Sequence, residues 1–125
     1  MRDDAAVVAV GSINVDVEMD LGDDPAATTV RLATRSLITS GGKAANVATM
    51  AARWGRPATL LACVGDDEWA DVALRGPRQA GVDVEAVCTA AGEPTAVSSI
   101  WLDPSGDKQI VLAPGANDHW PDDAA

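Results

Sequence analysis

The sequence contains no phenylalanine and no tyrosine, and tryptophan, with four copies, is its only aromatic residue apart from one histidine. Its 47% hydrophobic content is therefore rich in alanine and valine, which bury little area per side chain. A chain of 125 residues can form one domain with one core, which excludes a multidomain enzyme. We expect that core to be marginal without further packing partners.

Basic residues are also scarce. Nine lysines and arginines stand against 19 acidic residues, giving a net charge of −10, and the positive residues are scattered along the chain. A nucleic-acid partner is therefore not expected. No apolar run approaches the roughly 18 residues of a membrane span, and the acidic segment Met1–Asp4 does not resemble a secretory signal. The sequence predicts a cytoplasmic protein with no membrane partner.

Cysteine and histidine are too few to form a metal centre or a disulfide framework. Cys63 lies in an apolar run, Cys88 lies near a turn, and the pair has no CxxC spacing. We expect both to be buried thiols. The single histidine, His119, has no cysteine or histidine cluster near it in sequence, so no metal site is predicted.

The order of apolar runs and glycines indicates an α/β fold. Ala6–Val10 is a continuous apolar run that predicts a strand buried on both faces, and Ala58–Val64 is a second such strand. Between them, Gly41-Gly42-Lys43 opens a segment with apolar residues at helical spacing, which ends at Gly55. Strand, helix and strand in this order predict a right-handed βαβ unit.

The remaining segments extend this unit. Val15 and Val17 alternate with acidic residues as in a half-exposed strand, and Thr28–Ile38 could add one or two exposed strands. A second helix should follow Asp66 and run to Gly81, with a kink or restart at Gly76-Pro77. Three short strands are predicted next, the last two joined by a tight turn: Val82–Cys88, Ala96–Leu102 and Lys108–Leu112.

The C-terminal segment has the pattern of a helix that has just begun. Pro121 followed by acidic residues is typical of a first helical turn. We therefore expect the chain to be a truncated or fragmentary domain.

Two familiar nucleotide-binding patterns are absent. A phosphate loop ending at Lys43 needs glycine at position 37 and serine or threonine at 44, where the sequence has Leu37 and Ala44. The turn after the first strand has Gly11 but lacks the second and third glycines of a dinucleotide fingerprint. Neither cofactor site is predicted from these motifs.

Polar residues do cluster at the ends of the predicted elements. They are Asn14, Asp16, Gly42, Lys43 and Asn46. Ligands of open α/β sheets bind beyond the carboxyl ends of strands, and these groups supply the donors and acceptors that a sugar hydroxyl needs. The alternative is structural: Asn14 forms a turn, Asp16 is a solvated strand residue, Lys43 extends along the surface and Asn46 bonds locally.

Six segments, in order, resemble the PfkB family of carbohydrate kinases and in particular ribokinases. The segments are Gly11–Asp16, Gly41–Asn46, Val64–Asp67, Ala80–Asp83, Thr95–Val97 and Pro114–Asn117. The resemblance implies an α/β sandwich with a small β lid, and phosphoryl transfer from ATP to a primary hydroxyl of a sugar bound between them. Residues 1–125 would be the N-terminal part of this domain, with the lid at roughly 15–40.

The family pattern also implies roles for the five polar residues. Asn14 and Asp16 would hold sugar hydroxyls, Gly42 and Lys43 would contact the sugar through the glycine loop, and Asn46 would bond another hydroxyl. ATP and Mg²⁺ would be the cofactors, with their sites outside this chain, and the lid could pair subunits into a homodimer.

The sequence departs from the family pattern at several points. Ala44 replaces the usual glycine after the glycine-loop lysine, the lid segment at residues 23–29 lacks its usual Pro-Gly-Glu-Thr, and Pro77 replaces an apolar mid-helix residue. The family's catalytic aspartate, in a Gly-Ala-Gly-Asp segment, has no counterpart in the 125 residues. We therefore expect the sugar-binding part of a kinase that is inactive alone. A non-catalytic remnant or a dimerisation or ligand-binding module is the alternative.

Overall fold

A computed structural model of the protein describes residues 5–23 and 29–123. Within these ranges the chain forms strands, two α-helices and one 3₁₀ turn, so the predicted α/β class is confirmed. The strands are β1 (Val7–Val10), β2 (Asn14–Leu21), β3 (Ala33–Gly41), β4 (Ala58–Leu61), β5 (Cys63–Gly65), β6 (Cys88–Ala90), β7 (Val97–Leu102) and β8 (Lys108–Ala113). The helices are α1 (Lys43–Arg53) and α2 (Trp69–Ala80), and the 3₁₀ turn is Gly115–Asp118.

A parallel layer forms the base of the fold. β1 pairs with β4, and β5, which follows β4 after Ala62, pairs with β6. Both helices pack against this layer, and their fully buried small residues Ala48 and Ala73 belong with Leu60 to one hydrophobic cluster. The predicted strand–helix–strand unit β1–α1–β4 is therefore present, with its two strands parallel.

The first strand is not buried on both faces, and this expectation is wrong. Ala9 is buried, whereas Val8 is 58% exposed and Val10 is 63% exposed. The helices cover only the face that carries Ala9, and no described residue covers the other. A continuous apolar run shows that both faces are apolar, but not that both have partners in the same chain.

A second sheet has the strand order β3-β2-β7-β8. β2 is antiparallel to β3 and parallel to β7, and β7 and β8 form the predicted hairpin. Its turn is closed by a hydrogen bond from Asp103 N–H to Asp107 O (2.8 Å). The expected lid at 15–40 corresponds to β2 and β3, to which the hairpin adds two strands. The lid segment at residues 23–29, which differs from the family pattern, lies partly outside the described residues, at 24–28.

The prediction of a strand at Val82–Cys88 is largely wrong. Only one bridge, between Thr59 and Asp83, occurs before β6 begins at Cys88. Asp83 Oδ1 instead accepts a hydrogen bond from Glu85 N–H (3.0 Å), and Val87 N–H donates to Val84 O (3.0 Å). This side-chain turn competes with strand pairing, which is a known effect of aspartate.

Helix α2 continues through Pro77 without restarting. At the preceding residue, Gly76 N–H donates to Ser40 Oγ (2.8 Å), and Ser40 Oγ–H donates to Val72 O (3.0 Å). The hydroxyl of Ser40 thus bridges the donor and acceptor of one helical turn. Both contacts lie in the turn just before Pro77, whose missing N–H disturbs the helical hydrogen bonds.

The cysteines are free thiols, and Cys63 is fully buried whereas Cys88 is partly buried. They are neighbours in the β5–β6 register. Burial raises the pKa of the Cys63 thiol, and the neighbouring Cys88 raises it further. The predicted burial is thus confirmed at Cys63, whereas the expectation of a buried thiol at Cys88 is wrong, since Cys88 is only partly buried. Among the described helices, none has the length and apolarity needed to cross a membrane.

Candidate functional site

The site is built where β1, the glycine loop and β2 meet. Gly42 has φ of 98°, and a Cβ added there would lie 2.6 Å from Ile13 Cα and from Ser12 O. Only glycine fits this backbone conformation and this close approach. Lys43 N–H donates to Ser12 Oγ (2.9 Å), which fixes the start of α1 against the end of β1. Ala44 lies within α1, and no non-glycine residue in the described ranges has positive φ, so the departure at this position causes no backbone strain.

Asn14 and Asp16 share one face of β2. Val15 between them is fully buried in the core, so the alternation of a strand directs both polar side chains to the opposite face. The cross-strand partner of Asn14 is Gly41. A Cβ on Gly41 would overlap the Asp16 carboxylate, so this glycine provides the space that the carboxylate occupies.

The Asp16 carboxylate is partly buried and stays available to a ligand. Burial raises its pKa, and the negative charge of Glu18 raises it further. Within residues 5–23 and 29–123, the Asp16 carboxylate has no hydrogen-bond or ion-pair partner. Every fully buried side-chain oxygen in these ranges has a partner, so the Asp16 oxygens are not fully buried. Its oxygens are therefore reachable by an external donor such as a hydroxyl group.

Asn117 was not predicted as a site residue, but the structure places it beside Asn14. Asn117 Nδ2 donates to Asn14 Oδ1 (2.8 Å), and Asn117 Oδ1 accepts from Ile13 N–H (3.1 Å). Asn117 lies in the 3₁₀ turn, 103 residues from Asn14. The only sequence signal was its place in the Pro114–Asn117 segment.

Lys43 and Asn46 extend the site along α1. Both residues are exposed, and Asn46 N–H donates to Gly42 O (2.9 Å) in the first helical turn. Asn46 also lines a cavity of about 310 Å³ between α1, α2 and the end of β3. The described residues that line this cavity do not include Asn14 or Asp16. Of the five predicted residues, the structure thus brings four to the glycine-loop junction and places Asn46 one turn further on.

This arrangement can bind hydroxyl groups, but it does not supply the parts of a phosphoryl-transfer site. Asp16 offers acceptors, Asn14 an amide and the glycine loop backbone groups. Phosphoryl transfer also needs metal-binding carboxylates and a base. The described residues contain no group of three or more His, Cys, Asp or Glu side chains that could hold a metal ion. The residues at this junction therefore account for contacts with hydroxyl groups and not for the transfer step.

Comparison with known proteins identifies the family. The sequence matches the pfkB family carbohydrate kinases over residues 4–124. The chain belongs to this family. It is 34% identical to a ribokinase of Schizosaccharomyces pombe over 117 residues, which cover 89% of this chain and 37% of that protein. It is 37% identical to a ribokinase of Haemophilus influenzae over 82 residues, which cover 66% of this chain and 27% of that protein.

A solved structure of a PfkB-type enzyme has the same fold. Arabidopsis thaliana ribokinase, determined in complex with ribose and ATP, superposes with a TM-score of 0.81 at 28% identity. The match covers 93% of this chain and 38% of the ribokinase chain. The chain therefore spans between about a quarter and two fifths of the length of these relatives.

Two of the PfkB-like segments have structural roles. Asp67 Oδ2 accepts from Thr95 N–H (2.9 Å), and Asp67 Oδ1 accepts from the Thr95 hydroxyl (2.6 Å). The Thr95 oxygen also accepts from Gly65 N–H (2.9 Å). A Cβ on Gly65 would overlap the backbone of residues 93–95. These contacts hold the loop before β7 against the end of β5.

Proposed function

We propose that this chain forms the sugar-binding side of a ribokinase-like kinase, which transfers a phosphoryl group from ATP to a primary hydroxyl of a sugar. The observation that supports it most is the pair Asn14 and Asp16 on one face of β2, beside the glycine loop. Gly42, Lys43 and Asn46 complete the predicted contacts. Family membership and the resemblance to a ribokinase that binds ribose and ATP support the substrate class.

A ribose titration tests this proposal. Asp16→Asn replaces an acceptor of hydroxyl protons by an amide of the same size, and we expect ribose affinity to fall by about tenfold or more. Ligand-observed NMR with D-ribose measures binding down to millimolar affinity. Asp20→Asn is the matched control, since Asp20 lies four residues further along β2, where its carboxylate is 3.9 Å from exposed Arg35. Equal affinity in the wild type and Asp16→Asn would reject the assigned role.

We further propose that the 125 residues alone do not phosphorylate sugars. They lack the family's Gly-Ala-Gly-Asp segment, and their described part offers no metal-binding cluster. The purified chain mixed with ATP, Mg²⁺ and a panel of pentoses and hexoses should release no ADP above background. Stoichiometric sugar phosphate formation would show that this proposal is wrong. The cytoplasmic location stays a prediction.

A second candidate function is self-association through the second sheet. Its edge strands are β3 and β8, and β8 is exposed along its whole length, with Ile110 54% exposed and Leu112 51% exposed. Unpaired apolar edges recruit other strands. Sedimentation velocity separates the candidates: a stable folded dimer favours a dimerisation module, and a monomer with loosened tertiary structure favours a kinase part without its sheet partners.

A further inference from the structure

We propose that Asn117 is a positioning residue that turns the Asn14 amide so that its NH₂ group faces the ligand. This inference rests on the proposed sugar-binding function and adds to it the polarity of one contact. Nothing in the sequence pattern indicates which end of the Asn14 amide a ligand would meet.

The polarity follows from one backbone group. Ile13 N–H can only donate, so the Asn117 atom 3.1 Å from it must be the acceptor Oδ1. The other end of the same amide, Nδ2, must then donate to the atom of Asn14 that lies 2.8 Å away. That atom is consequently Asn14 Oδ1. The Asn14 NH₂ group points away from Asn117, and no described residue accepts a hydrogen bond from it.

Asn117 is held in place independently of Asn14. The backbone of the 3₁₀ turn is fixed by hydrogen bonds from Ala116 N–H to Pro94 O (2.8 Å) and from Asn117 N–H to Pro114 O (3.0 Å). Ala116 is fully buried. The turn is therefore the rigid side of the contact, and the exposed end of Asn14 is the side that a ligand meets.

The two site residues consequently offer opposite polarity. Asn14 presents donors and Asp16 presents acceptors, and a hydroxyl oxygen can accept from the first while a hydroxyl proton is donated to the second. If Asn117 set the other orientation, both residues would present acceptors. A hydroxyl group that donates its single proton to Asp16 could then make no second hydrogen bond to Asn14.

Asn117→Asp tests the inference with an isosteric change. One carboxylate oxygen still accepts from Ile13 N–H. The other now faces Asn14 and can only accept a hydrogen bond. Asn14 must rotate its NH₂ group toward residue 117, and its oxygen turns to the ligand. We expect D-ribose affinity to fall by about tenfold to a hundredfold with the fold retained. Gln109→Glu, the same amide-to-acid change on exposed β8, should leave affinity unchanged.

Asn14→Asp gives the complementary variant. The carboxylate keeps its hydrogen bond from Asn117 Nδ2 but presents an acceptor to the ligand, so ribose affinity should fall while the fold is retained. Wild-type affinity in either Asn117→Asp or Asn14→Asp would overturn the inference.

A side-chain amide spectrum keeps the inference testable even if the wild type binds no ribose, which would reject the proposed function alone. In ¹⁵N-labelled Asn117→Asp, the Asn14 NH₂ signals should follow the titration of the new carboxylate at residue 117. Asn14 signals that are insensitive to this titration, in a folded variant, would show that Asn117 does not orient Asn14.

Discussion

At the scale of single residues, Asp16 carries a cost in stability that is linked to its proposed role. Burial and the charge of Glu18 raise the pKa of its carboxyl in the folded chain, so folding disfavours the ionised form. A ligand donor would relieve this unfavourable environment. Residues that serve binding often sit in surroundings that lower the stability of the free protein.

We therefore expect Asp16→Asn to raise the thermal midpoint at neutral pH. Because the folded pKa lies above the unfolded value of about 3.9, wild-type stability falls as pH rises through the window between the two values, and stays lower above it. The asparagine variant lacks this penalty. Thermal unfolding from pH 3.5 to 8 should show a gain that grows with pH, whereas a lower midpoint at pH 7 would contradict this account.

Asp67 responds to pH in the opposite direction. Burial alone would raise its pKa, but hydrogen bonds from Thr95 and from the backbone of Ala70 and Asp67 outweigh this and lower it. The contribution of Asp67 to stability is thus complete above the unfolded pKa of about 3.9 and is lost as pH falls through the lower folded value.

Asp67→Asn should destabilise the chain by about 1–3 kcal/mol at neutral pH, since it weakens charge-assisted hydrogen bonds to Thr95. Urea unfolding at several pH values measures this difference, which should shrink below about pH 4. Glu85→Gln, the corresponding change at an exposed residue, is the control. A destabilisation that is the same at pH 3 and pH 7 would exclude the charged hydrogen bonds as its source.

At the scale of elements, Ser40 joins the end of β3 to the middle of α2. A Cβ on Gly76 would lie 2.9 Å from both Ser40 Cβ and Ser40 Oγ, which is too close. Glycine at this helical position costs about 0.5–1 kcal/mol relative to alanine, so the contact with Ser40 explains its presence. Ser40 directly precedes the glycine loop, and its position is thereby fixed by α2.

Gly76→Ala should lower the free energy of unfolding although it improves helix propensity, because the new methyl group displaces Ser40. In a double-mutant cycle, Ser40→Gly should remove much of the penalty of Gly76→Ala by freeing the space. Urea unfolding of the four proteins measures the coupling. A stabilising Gly76→Ala in the wild-type background would show that Ser40 does not occupy this position.

Elements with local signals could be predicted from the sequence. Gly42 and the alanine pattern after it predicted α1 within one or two residues, and the turn after Leu102 predicted the β7–β8 hairpin. The pairing of this hairpin with β2 could not be predicted, because the paired residues Val15 and Val97 are far apart in sequence and no local pattern indicates the pairing. The same holds for Asn117, since its hydrogen bond to Asn14 spans 103 residues.

At the scale of the whole molecule, the core is small. More than half of the buried hydrophobic residues in the described ranges are alanines, and each alanine contributes little transfer free energy. The charge of −10 opposes association, while the outer face of β1 leaves Val8 and Val10 exposed. Screening by salt weakens that repulsion, so the exposed apolar face should determine how the isolated chain associates.

We expect Val8→Thr with Val10→Thr to reduce both hydrophobic-dye binding and salt-dependent association. Both side chains are more than half exposed, so replacing one methyl group by a hydroxyl should cost little stability and keep the strand, since threonine also favours β structure. Sedimentation velocity at 0.05 M and 0.5 M salt measures the association. The matched pair Ile110→Thr with Leu112→Thr alters the edge strand β8 instead. If only this second pair shifts the chain toward the monomer, the second sheet is the associating surface, and the dimerisation module becomes the better account of the isolated chain.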